Sequence, residues 1–257
     1  MSRFLLPAAL GLLALSTSAH ATTIGSLDTS RVHIGFALTG SKYEDVLAAL
    51  LDAGNEAAAP TRVVTSDYLA AVDVFVTGLP AILGTTAGYA AAAEITALQA
   101  WVQQGGVLVL GGDNQNFTAA ANSWMTPFGL TLVEASLSGG IWGSGPDALL
   151  AGEVAGADLG FGSGGYFAPG DYDVLATIGE NAAVVQRQYG RGLVIGLGDG
   201  NFFDDPASTV AESFFVNIAS VSRAMNLAAT PLPASLPLLA GGVGALLALR
   251  RRRQVCP

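Results

Sequence analysis

The sequence predicts an α/β domain with a mostly parallel sheet that ends in an antiparallel hairpin. Three observations carry this expectation. Short apolar runs alternate with segments of helical period from residue 32 to residue 110, the pattern of strands joined by crossover helices. Val107-Leu108-Val109-Leu110 is apolar at every position, which suits a parallel strand buried on both faces. Farther on, Ala183–Tyr189 and Leu193–Leu197 flank Gly190-Arg191-Gly192, a hairpin signal.

Taken in order, Val32–Leu38 reads as the first strand. Lys42–Asn55 reads as a helix, because Tyr43, Val46, Leu47, Leu50 and Leu51 recur at i, i+3, i+4, i+7 and i+8. Ser41 is placed to cap it, with Glu44 closing a capping box. Arg62–Thr65 and Val72–Thr77 read as the second and third strands. Ala90–Gln104 reads as a helix with Ala91, Ile95, Leu98 and Val102 on one face, stopped by Gly105-Gly106. The Gly-rich stretch Leu130–Asp171 predicts short strands and loops, and Tyr172–Thr177 a strand. A last helix over about Ala207–Leu227 would bury Val210, Phe214, Ile218, Val221 and Met225.

The two ends read as targeting segments. Residues 1–21 have a basic start at Arg3, an apolar run from Phe4 to Leu15, and Ala19-His20-Ala21, which fits a signal peptidase site with cleavage after Ala21. An uncleaved anchor is the alternative, against which the apolar run is short. At the other end, Leu232–Leu249 is long enough to approach a membrane span and is followed by Arg250, Arg251, Arg252 and Arg253. Arginines favour the cytoplasmic side, so the domain would lie outside the inner membrane. This leaves residues 22–229 as one exported domain and 230–257 as a separate tail.

Charge and composition exclude several classes. Five of the 11 basic residues lie in the leader or the tail. The six that remain between residues 22 and 230 face all 20 acidic residues, a net charge of −14. Such a surface repels nucleic acid and anionic headgroups. The single cysteine, Cys256, lies in the tail, so the domain holds no disulfide and no thiol nucleophile. Outside the leader the only histidine is His33, expected as a buried strand residue. Ser144 and Ser163 lie among glycines but not in a Gly-x-Ser-x-Gly elbow. His or Cys metal clusters are excluded by count, and no cofactor is implied. Asp199-x-Asn201-x-x-Asp204-Asp205 and Asp171-x-Asp173 gather oxygen ligands without the full EF-hand spacing, and read better as solvated turns.

The remaining catalytic option is a carboxylate pair. Asp113 and Asp199 each follow a predicted strand in related contexts, Gly-Asp-Asn-Gln-Asn-Phe and Gly-Asp-Gly-Asn-Phe. If both strands run the same way, the two aspartates would share a crevice with Asn114, Asn201 and Gly78, beyond the carboxyl ends of the strands. The stronger expectation for each aspartate is a cap on the following helix or turn. Trp124, Trp142, Tyr166 and Phe167 fall in the Gly-rich loop regions, where they would either stack on sugar rings or cover a core edge.

Two resemblances add to this. Pro231-Leu232-Pro233-Ala234, the apolar run 236–249 and Arg250–Arg253 together resemble the PEP-CTERM sorting signal, although the Glu of the Pro-Glu-Pro form is missing. That resemblance implies processing by an exosortase, transient residence in the inner membrane, and delivery to the cell envelope or extracellular matrix, with matrix polysaccharide as a partner. An ordinary C-terminal anchor is the alternative. Ala97–Val109, Tyr189–Ile195 and Gly198–Phe203 resemble the class I glutamine amidotransferase-like fold, a flavodoxin-like three-layer sandwich. Its activity does not follow, since the catalytic cysteine is absent. The expectation is a non-catalytic structural or ligand-binding domain. One rival is a carboxylate-dependent hydrolase of matrix glycans. Another is a sugar or small-molecule module with a pocket near Gly78, Gly112 and Gly198 lined by Trp or Tyr.

Overall fold

A computed structural model describes residues 21–80, 85–143, 147–203 and 209–229. The leader up to residue 20, Ser144, Asp204, Asp205, the sorting motif, the apolar run and the arginine cluster lie outside the described residues. Among those described, no helix is long and apolar enough to cross a membrane.

Among the described residues ten strands form one sheet: β1 (Thr23–Ser26), β2 (Glu56–Ala57), β3 (Val74–Val76), β4 (Val107–Gly111), β5 (Leu132–Leu137), β6 (Trp142–Gly143), β7 (Gly164–Phe167), β8 (Asp173–Ile178), β9 (Asn181–Tyr189) and β10 (Gly192–Leu197). Their order is β2-β1-β3-β4-β10-β9-β7-β5, with β8 on β9 and β6 on β8. β2, β1, β3, β4 and β10 are mutually parallel, and the strands beyond β10 pair antiparallel. The mixed α/β class, the largely parallel sheet and the late β9–β10 hairpin are therefore as expected.

The helices are α1 (Glu44–Asp52), α2 (Ser66–Leu69), α3 (Ala92–Gln103), α4 (Thr118–Met125) and α5 (Thr209–Ala229). Because side chains alternate along a strand, the central strands feed two cores. Val74, Val76, Val107, Val109 and Ile195 meet Val46 and Leu50 of α1 and Phe214 and Ile218 of α5. Phe75, Leu108, Leu110 and Val194 meet Leu69 of α2, Leu98 and Val102 of α3 and Trp124 of α4.

The N-terminal third departs from expectation. Val32–Leu38 is not a strand; β1 lies earlier, at Thr23–Ser26. Gly35 adopts φ +84°, which breaks the run, and the Lys42 N–H donates to the Gly35 carbonyl at 3.0 Å. The apolar residues of that run are still buried, except Ile34, which is 87% exposed. Arg62–Thr65 is also not a strand. The edge is formed by Glu56–Ala57 instead, with a bridge from Leu27 to Thr61. Helix α1 starts after Tyr43 without a side-chain cap, so Ser41 and Glu44 do not form the expected box. Helix α4, which no periodicity announced, places Trp124 in the core. Its indole N–H donates to the Gly88 carbonyl at 2.7 Å.

Candidate functional site

Asp113 and Asp199 are brought together. β4 and β10 are adjacent and parallel, with Leu197 opposite Gly111. Two residues farther on, the same register sets Asp199 beside Asp113 at the carboxyl edge of the sheet. Neighbouring strands lie about 4.8 Å apart. Both side chains are buried, Asp113 at 3% exposure and Asp199 at 1%.

Each carboxylate is held by backbone N–H groups. Asn114 donates to Asp113 Oδ1 at 2.6 Å and Gly200 to its Oδ2 at 3.3 Å. Asp113 thus joins the turn after β4 to the turn after β10. Gly162 and Ser163 donate to Asp199 Oδ2 at 2.5 and 3.1 Å, and Asn201 donates to its Oδ1 at 2.8 Å. Asp199 thus ties the end of β10 to Gly162 and Ser163, which lead into β7. Burial pushes the Asp113 carboxyl up to about 6, and Asp199 adds repulsion, against the N–H groups of Asn114 and Gly200. Burial also raises Asp199, against its three N–H donors.

Tyr43 completes the cluster. Its phenol is fully buried and is pushed well above the usual tyrosine range, first by burial and then by the fields of Asp113 and Asp199. The sequence offers Tyr43 only as one apolar position of a helix face. Its place at the start of the helix, after a glycine-bearing loop, is the one hint that it faces a strand end.

The β1–α1 loop roofs this edge. Gly78 follows β3 at φ +64°, and a Cβ there would collide with the Phe36 carbonyl. The His33 N–H donates to the Leu79 carbonyl at 2.9 Å, and the Leu79 N–H to that of Phe36 at 3.4 Å. His33 is therefore a half-buried loop residue rather than a strand residue. Its ring lies 5.0 Å from that of Phe117 and 5.8 Å from that of Phe36. Gly78, Asn114 and Asn201, expected to share a crevice with the aspartates, lie at this same strand-end edge. Gly112 packs on Leu132 and Met125, Gly198 meets the Gly165 and Ala183 carbonyls, and Gly162 meets the Asn201 side chain. Trp124 and Phe167 are core residues, not stacking surfaces.

Among the described residues no three His, Cys, Asp or Glu side chains converge as a metal site would require. Asp171 is 95% exposed and pairs with Arg187 at 3.3 Å. A second polar cluster went unread in the sequence. Arg31 donates to both carboxylate oxygens of Glu94, at 2.9 and 3.1 Å. It also bonds the carbonyls of Arg62, Ala87 and Tyr89, and its guanidinium lies 5.4 Å from the Trp124 ring centre. Burial would raise Glu94, but Arg31 and the N–H groups of Ala91 and Val64 hold it below the ordinary range.

No family model and no curated protein matches the chain. Solved structures do. The mmIFT52 N-terminal domain superposes with a TM-score of 0.59 at 15% identity, over 82% of this chain and all of that one. The Cytoplasmic Protein STM1381 from Salmonella typhimurium LT2 gives 0.52 at 14% identity, over 78% and 98%. A cold-adapted beta-galactosidase from Rahnella sp. R3 gives 0.52 at 19% identity, over 84% of this chain but 33% of that one. At these identities the likeness is one of fold alone.

Proposed function

We propose that the chain is an exported envelope or extracellular-matrix protein whose α/β domain is a structural or ligand-binding module, sorted through its tail by an exosortase. One observation carries the non-catalytic part. The two carboxylates that could do acid–base work are buried, and together they take five backbone N–H donors. A glycosidase pair must flank a sugar and leave room for it. Here the Gly200 N–H occupies one such oxygen, and the loop at residues 33–36 packs on the same edge at Gly78 and Leu79. The pair fastens glycine-rich loops.

We read the fold more finely as a flavodoxin-like three-layer sandwich, in the class I glutamine amidotransferase-like group. The parallel order β2-β1-β3-β4-β10 is the 2-1-3-4-5 order of that type, and helices cover both faces. The chain carries no cysteine between residues 22 and 229 to serve as its nucleophile.

Export and sorting rest on the two ends of the sequence. The test compares the location of the protein with and without residues 231–257. Delivery that is unchanged by the deletion defeats the sorting reading. The rival hydrolase draws on the raised pKa of Asp113 beside Asp199. It requires that Asp113→Asn abolish glycan cleavage by a protein that cleaves glycans at all.

A further inference from the structure

We infer that the groove between α5 and the outer half of the sheet binds a hydroxylated sugar ring bearing a positive charge, an amino sugar within a polysaccharide. This rests on the ligand-binding form of the proposed function and names the ligand class. The groove has a volume of about 240 Å³, on the scale of one ring rather than a large cofactor. Its floor is aliphatic, from Leu149, Leu193 and Met225. Its rim carries Asp147, Asp173, Gln186 and Gln188.

The hydrogen bonds of the rim decide what it accepts. Gln186 Nε2 donates to Asp147 Oδ2 at 2.5 Å. Gln188 Nε2 donates to the carbonyls of Gly190 and Gly192 at 3.1 and 2.8 Å. Each of these partners only accepts, so both amides are fixed with nitrogen toward them. Both N–H groups of Gln188 and one of Gln186 are thereby engaged in the protein, and Asp147 Oδ1 accepts from the Leu149 N–H at 2.8 Å. The rim is left with two amide oxygens and the Asp147 and Asp173 carboxylates, so acceptors outnumber the one remaining Gln186 N–H. A ligand that matches it brings donors around its edge and an apolar face for the floor. A pyranose has both, through its hydroxyls and its C–H face. The two carboxylates add a preference for an ammonium substituent, and the −14 charge of the domain concentrates such a polymer nearby. Anionic glycans are repelled by the same groups.

The test titrates the full chain in mild detergent with three oligosaccharides of equal length: glucosamine, N-acetylglucosamine and glucose oligomers. The glucosamine oligomer is expected to bind at least about tenfold more tightly than the other two, and to weaken at about 0.5 M salt. Amide-exchange protection should fall on residues 147–150 and 181–193. Asp173→Asn and Gln188→Met, both at exposed positions, should each weaken binding several-fold with the thermal midpoint unchanged. Equal binding of the three sugars, no binding of the glucosamine oligomer, or protection at residues 112–117 instead would overturn the inference. Cleavage of the bound oligomer, followed by mass spectrometry, would overturn the non-catalytic reading while leaving the groove in place. A failure of sorting would show only in the tail deletion.

Discussion

Asp113 carries a carboxylate that folding strips of water and sets beside a second carboxylate. Its pKa in the folded protein is about 6, against an ordinary 3.8, chiefly because of burial. The folded chain then binds more protons than the unfolded chain between those values. The stabilising contribution of this group is full below about pH 4 and is lost as pH rises through about 6. Asp199 is raised in the same direction, so it adds to the same trend. Urea midpoints of the protein are expected to be higher at pH 5 than at pH 7.5. Asp113→Asn should flatten that difference and stabilise the protein at pH 7.5 by about 1–2 kcal/mol, because the long Gly200 bond is the only contact it forfeits. Asp199→Asn should destabilise, since its oxygens accept three N–H groups and an amide nitrogen would face at least one. A variant at 113 that is less stable at pH 7.5 would mean that its backbone bonds outweigh its burial. The sequence placed both aspartates at strand ends, because a Gly-Asp step after an apolar run is a local signal. It could not show Tyr43 against them, since that contact joins residues 70 and more positions apart.

At the scale of elements, the long periodic segments were legible and the short ones were not. α3, β4, the β9–β10 hairpin and α5 each carry enough repeated pattern to mark their type. β1 and β2 have four and two residues, Thr-Ile-Gly-Ser and Glu-Ala, with no apolar run. Val32–Leu38 has the run but is a loop. Apolar patterning reports burial, and this loop is buried because it packs on the carboxyl edge. Its anchor is Arg31, which binds α3 through Glu94 and reaches the loops at residues 62 and 87–89. The pair is bidentate and buried, so removing one partner leaves the other charge unmatched. Glu94→Ala is expected to cost about 3–5 kcal/mol in urea unfolding. It should also speed amide exchange in residues 27–43 and 85–91 before the central strands open. Loss confined to α3, with the loop still protected, would place the anchor elsewhere.

At the scale of the whole molecule, the path of the chain fixes which edge the two ends share. Thr22 Oγ1 donates to the Ala219 carbonyl, and Asn226 Nδ2 donates to Asp73 Oδ1 at the start of β3. The residues that lead into β1 and the last turns of α5 therefore meet at the amino edge of the sheet. With 21 residues, α5 spans about 30 Å from there to the carboxyl edge. If the tail crosses a membrane soon after residue 230, as proposed, the amino edge is expected to face the bilayer. The Asp113–Asp199 edge then stands about one helix length away. Single cysteines at Glu56 and Ile34, both exposed, in a chain with Cys256→Ser, can carry a fluorophore at the two edges. In vesicles containing a headgroup quencher, the label at 56 should be quenched strongly and the label at 34 hardly at all. Equal quenching would mean that the domain tumbles freely on its tether, and the reverse order would mean that it docks by its carboxyl edge. Neither is expected of a domain tethered by a six-residue link, Thr230–Ser235, because a link of that length leaves little reach.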